Sequence, residues 1–162
     1  MTFKPLVLAA LASCLFVAGC GGSNTEDTKL TLESEAGGLH VRDVPPKGPS
    51  PGDTNTFSED VVDTDGKPAG RVNGTVTVTQ VITRGGRRVE DRVGTTHYTL
   101  QDGSVTVGGV YTAPLRKAAP ASGVTRPIVG GTGKYKGAHG QVVQSPEGRG
   151  LRHELDIQTP KD

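Results

Sequence analysis

Aromatic side chains are scarce in this 162-residue chain: they make up 4% of it, with no tryptophan and a single methionine. A core must therefore be built from valine, leucine, isoleucine and alanine. Valine suits a pleated, half-buried surface, so the composition points to an all-β protein. The same scarcity weighs against a glycosidase. Such an enzyme needs two opposed carboxylates. Glu33, Glu35, Glu59, Asp60 and Asp63 are available, but few rings are left on which to stack a sugar. Cysteine occurs only at Cys14 and Cys20, both in the N-terminal leader. The mature domain then has no disulfide, no thiol nucleophile and no cysteine-based zinc site.

An excess of charge of either sign is also missing. The net charge is +1, and removal of the leader with Lys4 leaves 17 basic against 17 acidic residues. Nothing attracts nucleic acid in bulk, so no nucleic-acid partner is expected. Arg84, Arg87, Arg88 and Arg92 cluster, but Glu90 and Asp91 interleave them. That cluster reads as a solvated hairpin tip. His40, His97, His139 and His153 lack carboxylate or histidine neighbours at ligand spacing, so no metal site is expected. No Gly-x-Ser-x-Gly hydrolase elbow occurs.

What the chain does have begins with a leader. Lys4 precedes an apolar run from Pro5 to Val17, too short for a comfortable membrane span. The run ends in Val17-Ala18-Gly19-Cys20, which resembles a lipobox. The resemblance implies a signal peptide over residues 1–19 and a diacylglycerol thioether on Cys20. The mature chain is then exported and anchored to the outer face of a bacterial cell membrane, with membrane lipid as a partner. The alternative is an ordinary signal peptide and a secreted protein. Acyl chains supply about 0.8 kcal/mol per buried CH₂. Residues 20–28 (CGGSNTEDT) form a polar, flexible tether.

Length allows one domain, expected over residues 29–160. Leu30 to Glu35 alternates apolar and polar residues, as a half-buried strand does. Pro45 to Gly52 is a proline-rich loop. In Gly70 to Thr83, Val72, Val76, Val78 and Ile82 face one way and the threonines the other. Arg87 to Leu100 returns after Gly85-Gly86. Asp102-Gly103 then signals a tight hairpin into Ser104 to Thr112. Residues 113–126 read as an exposed crossover or mobile lid. Leu151, His153, Leu155 and Ile157 alternate in a last strand. No stretch has a helical period with caps. Long strands with tight turns predict a closed antiparallel β-barrel of about eight strands.

One segment carries the densest glycine, Pro127 to Val143, PIVGGTGKYKGAHGQVV. A phosphate-binding Walker loop fails there, because Ile128 and Tyr135 stand where glycine and Ser/Thr are needed. A GxGxxG loop from Gly131 meets Lys136 in place of its last glycine. No nucleotide or other cofactor is therefore expected. The glycines suit a sharp crossover, or a backbone pressed against another surface.

GGTGKYKGAHGQV instead resembles the late signature of the allene oxide cyclase and dirigent barrel families. Gly52-Asp53 with Phe57 is similar to a cyclase "GD…PF" segment. Gly70 to Gly74 is similar to the dirigent "GRAQG", and Tyr98 to Tyr111 to the hairpin that precedes the signature. The resemblance implies a barrel that binds a small apolar or phenolic metabolite and steers its cyclisation or coupling. It also implies homo-oligomers, as in the plant relatives. Carried over residue by residue, it nominates Glu33 and Glu35, where the cyclases place a Glu and an Asn. It nominates His139 as well, where plant dirigent proteins carry an Arg. Tyr98 and Tyr111 are candidate cavity residues and candidate proton donors, with Tyr111 nominated as catalytic. The alternative is a non-catalytic cell-surface binding or structural module whose interior is filled by its own side chains.

Overall fold

The computed structural model describes residues 24–35, 37–116 and 122–161. The leader and residues 20–23 of the expected tether, Cys20 among them, lie outside the described residues. Nine antiparallel strands make one sheet: β1 Thr25–Ser34, β2 His40–Arg42, β3 Thr54–Asp63, β4 Pro68–Arg84, β5 Arg87–Leu100, β6 Gly103–Pro114, β7 Val124–Gly133, β8 His139–Glu147 and β9 Gly150–Pro160. Neighbours run β1-β9-β8-β7-β6-β5-β4-β3-β2, and β1 also pairs with β3. That extra pairing, Leu32 to Ser34 against Asp63 to Val61, closes eight strands into a ring. Short β2 hangs on β3 outside it. Closure satisfies the ladder hydrogen bonds that open edges would leave unpaired.

Two boundaries differ from expectation. β1 begins at Thr25 rather than Lys29, because Thr25 to Thr28 pair with Pro160 to Ile157 of the last strand. Part of the expected tether is therefore ladder. The strand count is nine because His40 to Arg42 pairs with Thr56 to Thr54.

One end of the ring is filled with hydrocarbon. Leu32, Val61, Val72, Val105, Val107, Ile128, Val142, Leu155 and Ile157 pack with Tyr98 and Tyr135 into a single buried cluster. The glycine signature seals this end. A turn through Lys134 to Ala138 joins β7 to β8 and tucks Tyr135 and Ala138 under the cluster, while Lys134 and Lys136 stay exposed. A Cβ on Gly131 would lie 2.4 Å from the Tyr135 carbonyl oxygen and 2.6 Å from that of Ser104. Gly140, at φ +125°, would place a Cβ 2.1 Å from the Asp156 carbonyl oxygen. These glycines permit backbone-on-backbone approach, as the sequence suggests.

Gly140→Ala is expected to cost about 2 kcal/mol or more, from strain at positive φ plus steric clash. Gly130→Ala, where a Cβ meets nothing within 4 Å, is expected to be near neutral. Urea midpoints of the two variants check this. Equal midpoints would contradict the packing account.

Candidate functional site

Every second residue of a strand points into the ring. Followed from the sealed end toward the other end, these inward residues change from apolar to polar. Val142 gives way to Gln144 on β8, Ile128 to Arg126 on β7, and Leu155 to His153 on β9. Leu32 gives way to Ser34 on β1, and Tyr98 to Thr96, Arg92 and Glu90 on β5; all of these side chains are buried. The polar half surrounds a cavity of about 450 Å³. Val76, Val78 and Phe57 give it an apolar wall, and Leu39, Val41 and Leu151 an apolar lip.

A hydrogen-bond chain crosses the cavity floor. Arg126 Nη2 donates to Thr96 Oγ1 at 2.7 Å and to Gln144 Oε1 at 2.6 Å. The amide orientation of Gln144 is thereby fixed. Its Nε2 donates to the Tyr98 hydroxyl at 3.1 Å and to His153 Nδ1 at 3.0 Å. The Tyr98 hydroxyl lies 2.9 Å from the same Nδ1. With Nδ1 accepting, the imidazole proton sits on Nε2, which faces Ser34 Oγ at 3.2 Å. Tyr98 also meets the His153 ring edge-on, with centroids 5.5 Å apart.

Burial sets the charge states. It pulls the His153 pKa down from 6.5 to about 4, with Arg126 adding to the effect, so the imidazole is neutral. It pushes the Tyr98 phenol well above its usual range, against Arg126 and Gln144 pulling down. Desolvation also lowers the Arg126 pKa, but a guanidinium stays charged in proteins. A second pair lies alongside. Arg92 Nε donates to Glu90 Oε2 at 2.9 Å, and its Nη2 forms a salt bridge to the same oxygen. The Tyr111 ring lines the cavity beside these groups. The Cζ of Arg126 lies 5.4 Å from its centroid and that of Arg92 6.0 Å. Such cation–π contacts are worth up to about 2 kcal/mol when desolvated.

The residues nominated from sequence are dispersed. Tyr111 lines the cavity. Tyr98 is fully buried in its floor. Glu33 lies on β1 and Glu35 just past its end, and neither joins the interior: Ser34 between them is buried, Glu35 is exposed, and Glu33 lies 3.6 Å from Arg152. Both line a second recess, about 750 Å³, which shares Glu59, Arg149 and Leu151 with the first. His139 is exposed at the start of β8, at the sealed end. Arg92 and Glu90, expected in a solvated hairpin tip, are instead an interior pair; only the Arg84 to Arg88 tip is exposed. Arg126, Gln144 and His153 were not singled out from sequence. Their signal was a polar residue in phase with the apolar ones, as in Arg126 with Ile128 and His153 with Leu155. Among the described residues no His/Cys/Asp/Glu group is arranged to hold a metal, and no helix is long and apolar enough to cross a membrane.

The proline-rich loop is tied to the rim by Asp53. Its carboxylate accepts from the backbone N–H of Val44 and of Ser50, each at 3.0 Å. Burial raises its pKa, but these hydrogen bonds outweigh that and hold it below the usual range.

The neutral state of His153 gives a pH prediction. Its folded pKa of about 4 lies below its unfolded 6.5, so the unfolded chain binds more protons in that window. Stability present above the unfolded value is lost as pH falls toward 4, by on the order of 3 kcal/mol. Urea midpoints between about pH 7 and about pH 4.5 should fall more steeply for the wild type than for His153→Gln. Parallel slopes would overturn the assignment.

Residues 27–157 match the family described as "Allene oxide cyclase barrel like domain". No protein of curated function matches the sequence. Among solved structures, a pyocyanin demethylase is similar over 80% of this chain and 99% of its own, with TM-score 0.66 and 21% identity. A Diels-Alderase of Streptomyces koyangensis is similar over 84% and 69%, with TM-score 0.60 and 19% identity. A pterocarpan synthase dirigent protein is similar over 94% and 97%, with TM-score 0.52 and 14% identity. At these identities the likeness is one of fold.

Proposed function

The chain belongs to the family of allene oxide cyclase barrel-like domains, and from that premise we propose that its ring is a barrel whose cavity binds a small apolar or phenolic metabolite and steers its cyclisation or coupling. The observation that carries this reading is the division of the interior. One end is solid hydrocarbon, and the other holds a cavity of about 450 Å³ with an apolar wall and a preorganised polar floor. Small-molecule sites have this make-up. A wall of Val76, Val78 and Phe57 holds a reactive molecule in one folded shape and excludes water. A fixed cation and fixed dipoles at the floor stabilise charge that develops during bond formation. Tyr111, between wall and floor, is the side chain placed to pass a proton. The similar structures are named as a Diels-Alderase, a dirigent protein and a demethylase.

A non-catalytic binding module is the second reading. Tyr98, Gln144 and His153 satisfy one another, which is also what a purely structural floor requires. In either case the proposed setting is the outer face of a cell membrane, through a lipid on Cys20. The lipobox supports it, and so does topology: Thr25 enters the ring at the sealed end, opposite the cavity lip. An anchor there points the cavity mouth away from the membrane.

Binding of N-phenyl-1-naphthylamine, followed by its fluorescence in this tryptophan-free protein, tests the cavity. Saturable binding is expected, weakened about tenfold or more in Val78→Phe, which fills the wall. No binding, or equal binding by that variant, would sink the reading. Enantiomeric excess in the products of a phenol oxidised by a one-electron oxidant beside the protein would separate steering from binding alone.

A further inference from the structure

We infer that Arg126 is the anchor for an acidic oxygen, so that the cavity selects apolar molecules carrying a carboxylate, phenolate or enolate over neutral ones. This rests on the proposed reading of the cavity as a binding site and names the class of its ligand.

Arg126 is 2% exposed. Both its hydrogen-bond partners, Thr96 and Gln144, are neutral and are reached through one nitrogen, Nη2. Its Nε and Nη1 are buried without any acceptor. Burying a charge without a counter-charge costs several kcal/mol, and an unmade hydrogen bond adds to that. Of the four acidic residues lining the same cavity, the half-buried Glu59 makes no bond to Arg126, and the other three have duties elsewhere. Glu90 takes a salt bridge from Arg92 and the Arg116 backbone N–H. Asp53 holds the amides of Val44 and Ser50, and Asp43 that of Gly48. His153 and the Tyr98 phenol, which face Arg126 across Gln144, are neutral. No ion pair involves Arg126 among the described residues.

The buried charges, Glu90, Arg92 and Arg126, thus leave one positive charge in excess at the floor of the cavity. The guanidinium also lies over the ring of Tyr111, with Cζ 5.4 Å from its centroid. Arg126 and Tyr111 both line the cavity, so a shift of that ring admits an oxygen to the guanidinium. A guanidinium meets such an oxygen with charge-assisted hydrogen bonds.

The sign of a ligand's own pKa shift reads this directly. Transfer of a phenol into an apolar cavity weakens it as an acid, whereas a facing guanidinium strengthens it. The ionisation of protein-bound 4-nitrophenol can be followed by absorbance across pH. The expected result is an ionisation constant about tenfold or more above that of free 4-nitrophenol, reversed in Arg126→Gln to a value below it. A bound phenol that is an equal or weaker acid in the wild type would overturn the inference. So would uptake of the neutral naphthylamine with exclusion of 4-nitrophenol. If neither probe enters, the binding reading itself falls and takes this inference with it. The wild-type sign stands as a readout even where Arg126→Gln does not fold.

Discussion

The guanidinium of Arg126, held inside the ring by neutral partners, is the constraint on which the polar half depends. Its bond to Gln144 decides which way that amide points. The amide in turn presents N–H to Tyr98 and His153 and so sets the imidazole tautomer. Thr96, Ser34 and Tyr111 take their places around the same chain. Six of the eight ring strands contribute a member: β1, β5, β6, β7, β8 and β9. A slip of one residue in any of these ladders would carry its member to the outside. Ring closure and polar floor therefore specify each other.

The opposite end shows what such specificity needs behind it. Polar groups left half-satisfied in an interior cost more than an apolar core would. Here the hydrocarbon plug and the glycine turn close one end of the ring, so the network is exposed from one side only. The turn brings backbone against backbone at Gly131 and Gly140, where a side chain would hold β7 away from β6 and β8 away from β9. The segment that first drew a phosphate-binding comparison is thus a lid built into the fold, on the far side from the cavity.

Much of the architecture was legible because it lies in periodicity and turns. Val72, Val76 and Val78 face inward, as their spacing indicates, and Asp102-Gly103 makes its hairpin. The site was less legible because β5 inverts the usual rule. There Glu90, Arg92 and Thr96 point into the ring while Val93 points out. Val110 on β6, paired with Val93, is likewise exposed. A pattern read as apolar-in and polar-out sends these charges to the surface, and only the ring's register brings them back. Glu33 and Glu35 illustrate the converse. Their spacing was readable, but their absence from the interior follows from Leu32 and Ser34 joining it. The partners of β2 and the early start of β1 were also hidden, since both depend on pairing with distant strands.

A crystal structure of the protein with cinnamate bound tests the central claim most directly, since that molecule joins an apolar ring to a carboxylate. The account predicts its ring against Val76, Val78 and Phe57, its carboxylate about 3 Å from Arg126 nitrogens, and the Tyr111 ring displaced from the guanidinium. Cinnamate found only on the outer surface, with Arg126 still covered by Tyr111, would contradict it.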